Sequence, residues 1–297
     1  MPVRLRSLVA ATAITLAAVL TGCSGGSDEP AGPSSDGHSH ASEPGVSHIH
    51  GLGVNPGDGK LYVATHHGVI AVDDKGSSRR VSDTADYMGF TVVGPDTFLG
   101  SGHPPEGSDE PANRGLIKST DAGKTWKTLS LGGEVDFHAL EQVHDTIYGY
   151  DSTHGLLRVS RDGKKWDERA ELAALDIAVS PENPDTVLAT TQGGIARSTD
   201  GGETFAGGAE PVLAHLSWAG EDGKDVLYGI GPDGALHRST DGGESWTETG
   251  TVPGGQPQAL TAVTADRVLA ATAGGVYEST DGGRTFTERL ETSAGGH

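Results

Sequence analysis

The chemistry open to this chain rests mainly on imidazoles. The sequence has 13 histidines against one cysteine and two methionines. His50, His66, His67, His103 and His138 fall in its first half, with Met88 among them, and His215 follows. Imidazole nitrogens suit copper, zinc, nickel or iron, and a thioether beside them leans towards copper. Cys23 is the only cysteine, so neither an internal disulfide nor a cysteine-cluster zinc site can form. No H-E-x-x-H, G-x-S-x-G or phosphate-cradling glycine loop occurs.

Scattered histidines make a site only if the fold gathers them, and a repeated phrase supplies the fold. It reads S-T-D-A-G-K-T-W at 119–126, S-T-D-G-G-E-T-F at 198–205, S-T-D-G-G-E-S-W at 239–246 and S-T-D-G-G-R-T-F at 279–286. A damaged copy, S-R-D-G-K-K-W, fills 160–166. The spacing is roughly 40 residues, a repeat period. Each phrase lies between apolar runs, at a hairpin turn. Asp121, Asp200, Asp241 and Asp281 can accept N–H bonds of their own turn, and Gly123, Gly202, Gly243 and Gly283 can take positive φ. Aligning Gly68-Val69-Ile70 with Gly115-Leu116-Ile117 adds a hidden copy, with Asp74 on Asp121, Gly76 on Gly123 and Arg79 at the aromatic position. Six units of short strands without helical periodicity predict an all-β, six-bladed β-propeller. The strand closing the ring comes either from Val46 to His50 or from the end of the chain.

Stacking the units by their turns lines up the inner strands. His50, Met88, His138, Asp176, His215 and Ala259 then share one position around the axis. The second strands end in His66-His67, in His103 and in His154, facing one mouth. A metal or other small ligand held by His50, His66, His67, Met88, His103, His138 and His215 is the expectation, with copper first.

The phrase resembles the Asp-box (BNR) repeat, S-x-D-x-G-x-x-[WF], and the chain resembles exported BNR proteins often labelled glycosyl hydrolases. The resemblance implies a propeller with Asp-box hairpins on its rim, away from any active site. It also implies a sialidase-like alternative, in which three arginines hold a sugar carboxylate while a tyrosine nucleophile with a glutamate partner and an acid/base aspartate do the chemistry. Tyr87, Asp136 and Asp176 are the candidates here. The arginines fit poorly, because Arg158, Arg161, Arg197, Arg238, Arg284 and Arg289 lie beside the boxes. The F/Y-R-I-P signature is absent as well. Other Asp-box propellers, such as photosystem assembly factors and sortilin-type receptors, bind proteins without catalysis. That leaves a protein-interaction reading, in which loop 103–114 is a lid or a partner contact.

Residues 1–22 read as a leader, with Arg4 and Arg6 before the apolar run Leu8 to Leu20. Leu20-Thr21-Gly22-Cys23 resembles the bacterial lipobox, which implies cleavage before Cys23 and its lipidation. Residues 23–45 are a polar tether carrying His38 and His40. The propeller spans 46–291, and 292–297 is a tail. The expected place is the outer face of a bacterial membrane, reached through the lipid alone, as a monomer. The net charge of −20 becomes −22 without Arg4 and Arg6. Such a surface attracts cations and repels nucleic acid, so no nucleic-acid partner is expected.

Overall fold

The computed structural model describes Val46, residues 48–221 and residues 224–292. Cys23, the leader and the tether lie outside the described residues. Among the described residues, 24 strands form six antiparallel sheets of four, each built from consecutive strands. Blade one comprises Ile49–Val54, Leu61–Thr65, Gly68–Val72 and Ser78–Arg80. The inner strands of the other blades are Asp86–Gly94, Phe137–Val143, Ile177–Val179, His215–Glu221 and Pro257–Ala262. Each inner strand lies beside the next, and the last lies beside the first. The chain is an all-β, six-bladed propeller.

The ring closes without strand exchange. The outermost strand of blade six, Thr287–Glu291, comes from the end of the chain, and blade one keeps four strands of its own. Two hydrogen bonds cross the closure. Ile49 N–H donates to Gln258 Oε1 at 2.9 Å, and the Thr261 hydroxyl donates to the Leu52 carbonyl at 2.9 Å. The larger contribution is apolar: Ile49, Val63 and Ile70 of blade one interleave with Leu269, Ala271 and Val276 of blade six. Every other pair of neighbouring blades shares such a cluster. Burying one large aliphatic or aromatic side chain contributes about 1.5–3 kcal/mol.

The Asp-box turns feed these seams. In blade two the Ser119 hydroxyl accepts from Gly123 N–H at 2.9 Å and donates to Asp121 at 2.8 Å. Asp121 also accepts from the Thr125 N–H at 2.9 Å and the Thr125 hydroxyl at 2.7 Å. The boxes at Asp200, Asp241 and Asp281 repeat the pattern. A hydroxyl bond and backbone N–H bonds pull the Asp200 carboxyl down to about 2. These carboxylates are used up within their own turns. The closing Trp126, Trp166, Phe205, Trp246 and Phe286 each pack into the cluster shared with the preceding blade. Gly202, at φ 88°, shows why the box needs glycine: a Cβ there would stand 2.3 Å from Leu157 of blade three.

Blade one departs from the expected turn. Asp73, not Asp74, accepts the Lys75 and Ser77 N–H bonds, both at 2.9 Å. Val72 stands where the other boxes have serine, so Gly76 N–H donates to the Asp73 carbonyl at 3.0 Å instead. Residues 73–77 make a turn of five residues, against seven between Ser119 and Lys127, and Asp74 is left exposed beside Arg289.

Leu269 is fully buried in the closing seam. Leu269→Ala is expected to cost about 2–5 kcal/mol, read as a lower urea midpoint. An unchanged midpoint would show that the seam contributes little to closure.

Candidate metal centre

Strand register decides which side chains meet at the mouth. In blade one, Ile49 pairs with Thr65 and Gly51 with Ala64, so His50 is the extra residue of a β-bulge. Bulges re-aim a side chain. Met88 and His138 fall at the corresponding bulges of blades two and three. In blade six the extra residue is Gln258, and Ala259 matches Gly51. Counting along each second strand from the residue opposite the box serine, Asp176 and His215 also match Gly51. The expected six-membered column is therefore two adjacent columns. A bulge adds a residue without any mark in the sequence, so alignment by turns could not place it.

The histidines of blade one converge. His48, His50 and His66 each offer a ring nitrogen, and these nitrogens all lie within 4.8 Å of one another. The His50 Nε2 to His66 Nδ1 distance is 3.3 Å, roughly that of two nitrogens on one ion at a metal–nitrogen distance of about 2.0 Å. Such a cluster can hold a metal. His48 has a φ of 37°, in the left-handed region, just before the bulge. Its ring centroid lies 4.9 Å from that of His50 and 5.1 Å from that of His66. His48 is the member of the cluster that was not among the expected ligands; its i, i+2 spacing from His50 was the available signal.

Electrostatics leave these rings ready to bind. Burial, then the neighbouring His66, His48, His138 and His103, hold His50 down to about 3. Burial and His66 lower His48 also, against an opposing pull from Asp86. His50 is thus neutral near pH 7, the form that ligates. Asp86 Oδ2 lies 2.9 Å from that same nitrogen, His66 Nδ1, and Asp86 Oδ1 lies 3.6 Å from His50 Nε2, so the carboxylate faces the nitrogens that would meet an ion. Oδ1 is buried without a hydrogen-bond partner.

The remaining candidates separate from this cluster. His67 is exposed, its backbone N–H on the Thr65 hydroxyl. His103 Nε2 and His138 Nε2 both face Asp136 Oδ2, at 3.5 and 2.7 Å. His215 lies 3.5 Å from Asp176. Met88 is half-buried and is not among the residues lining the channel. Asp176 accepts the Ile177 and Leu216 N–H groups at 2.9 and 3.0 Å. Tyr87 is 0% exposed, with its hydroxyl on Asp83 at 2.8 Å, so it is a core residue with no route to the channel.

The channel itself is a cavity of about 240 Å³, lined among others by His50, His138, Glu141, Asp176 and His215. None of its lining residues is an arginine. Glu141 is half-buried in its wall. Burial, then Asp176, pushes its carboxyl up to about 8.

Similar solved structures share the fold. An ancestral GH74 enzyme matches with a TM-score of 0.54 and 14% identity over 79% of this chain, which spans 36% of that one. A chain of the nidogen/laminin complex matches with a TM-score of 0.59 and 11% identity, covering 77% of this chain and 92% of that one. YCF48 bound to D1 peptide matches with a TM-score of 0.51 and 18% identity, covering 83% of each chain. No protein-family model and no curated protein sequence matches. Identities this low establish the propeller class.

Glu141 yields a pH prediction. Its folded value of about 8 exceeds its ordinary 4.5. Its contribution to stability is therefore full below the ordinary value and is lost as pH rises through the folded one. Glu141→Gln should raise Tm by about 2–4 °C at pH 8 and leave it unchanged at pH 4. An equal shift at both pH values would assign the effect to packing.

Proposed function

We propose that this chain is an exported, lipid-anchored binding module that holds a divalent transition metal at the mouth of its propeller. His48, His50 and His66 are the ligands, with the Asp86 carboxylate beside His66 Nδ1 and His50 Nε2. The carrying observation is the convergence of three ring nitrogens within 4.8 Å of one another. The burial that keeps His50 neutral supports it. Imidazole sets of this kind take copper, zinc or nickel, and copper(II) binds most tightly among the first-row divalent ions. The acidic surface favours cation approach. Cys23 would carry the lipid.

Copper(II) and zinc(II) titrations of a His38→Ala/His40→Ala protein test the reading without interference from the tether. One ion per chain is expected, with affinity falling at least about tenfold in His50→Ala and His66→Ala, since each 1.4 kcal/mol is tenfold. Undiminished binding in both variants would refute the site. Cys23→Ser should move the protein from the membrane fraction to the medium; retention on the membrane would refute the anchor.

A further inference from the structure

Each box turn closes the end of its blade away from the mouth, because the third strand starts at the mouth and runs down to the box serine. The residue before that serine differs between blades. In blade four it is Arg197, whose Nη2 donates to the Gly242 carbonyl of the next box. In blade six it is Glu278, paired with Arg267 and Arg289. In blade five it is Arg238, and among the described residues this guanidinium makes no bond to the next box and no ion pair. Arg238 stands across the sheet from Tyr228, whose hydroxyl donates to the Ala265 carbonyl at 2.8 Å. Between the boxes of blades five and six lies a groove of about 310 Å³, lined among others by Arg238, Thr240, Thr247, Asp266, Gly282 and Arg284. A Cβ on Gly282, at φ 77°, would lie 3.5 Å from Tyr228 Oη, 3.7 Å from Arg284 Nη1 and 3.8 Å from Asp266 Oδ1. Polar groups from two blades thus surround one point that glycine leaves open.

We propose that this groove binds a forked oxyanion, the phosphate or carboxylate group of a small ligand, between Arg238 and Arg284. A planar guanidinium meets either group through two parallel N–H bonds. Arg284 is braced for that contact: its Nη1 donates to the Asp281 carbonyl at 2.5 Å, which takes one of its five N–H donors. Charge decides the class of ligand. Two guanidinium groups and one carboxylate, Asp266, line the groove, in a chain whose net charge is −20. Two other rim grooves show the reverse balance. Between blades three and four, Arg161 and Arg169 meet Asp145, Asp167, Asp185 and Asp200. Between blades six and one, Arg289 meets Asp74 and Glu278. The Thr240 and Thr247 hydroxyls, unbonded among the described residues, add donors for the remaining ligand oxygens.

Inorganic phosphate and D-glucuronate, titrated separately by calorimetry into the protein in a phosphate-free buffer, are the probes. One anion per chain is expected for at least one of them, with affinity falling as salt rises. A response to phosphate alone assigns the groove to phosphate esters, a response to glucuronate alone assigns it to acidic sugars, and a response to both assigns it to the shared fork. Arg238→Gln and Arg284→Gln should each weaken binding at least about tenfold, the loss of one charge-assisted contact. Arg161→Gln, in the acidic groove, should leave it unchanged. Arg284 is exposed, so Arg284→Gln keeps the test open if Arg238→Gln does not fold. Copper(II) binding at the three histidines should be unchanged in both variants, so failure of this site is distinguishable from failure of the other. Absence of saturable binding by either anion would overturn the proposal, as would an affinity unaltered in Arg284→Gln.

Discussion

Contact between neighbouring sheets is the interaction on which everything else in this protein depends. No strand is exchanged across the closure of the ring, so among the described residues blade six is held to blade one by interleaved side chains, two hydrogen bonds and the exposed Arg289–Asp74 ion pair. A four-stranded sheet that buries both faces against its neighbours has one stable arrangement when six of them meet, a closed disc. Each blade donates its box aromatic to the preceding seam, except blade one, where Arg79 stands at that position. The Asp-box is thus a packing device. Its serine and aspartate satisfy the turn so that the aromatic and the glycine can meet the preceding sheet at close range.

The disc concentrates chemistry at one mouth because inner strands begin there. What lies at those strand starts is uneven. Blades one to three bring His48, His50, His66, Asp86, His103, Asp136 and His138 to the same side of the ring, and these groups influence one another's charge. The seam beneath makes the surroundings rigid and partly dry, which disfavours protonated imidazole. Burial holds His50 neutral beside Asp86, whose Oδ1 lacks a hydrogen-bond partner. Such an arrangement is costly for a protein without a cation to place there.

Much of this was legible in the residues themselves. The spacing of Ser119, Asp121, Gly123 and Trp126, repeated down the chain, announced the hairpins and through them the six blades. The exception at Asp74 arose where Val72 replaced the box serine, a substitution visible in the sequence whose effect on the turn was not. For the site, histidine type and location pointed to the mouth. Within that mouth the structure shows a three-histidine cluster, a pair facing Asp136 and His215 beside Asp176, while His50, His138, Asp176, His215 and Ala259 all line one channel.

The chain's own residues determined the repeat, the hairpins, the blade count and the side of the disc where imidazoles gather, because these follow from local turn chemistry recurring at a fixed period. Only the tertiary structure decided which imidazoles share a pocket. Bulges at His50, Met88 and His138 shift each strand by a residue, and a one-residue shift redirects a side chain to the other face. That choice is made by the packing of one sheet on the next, which no single stretch of the chain contains.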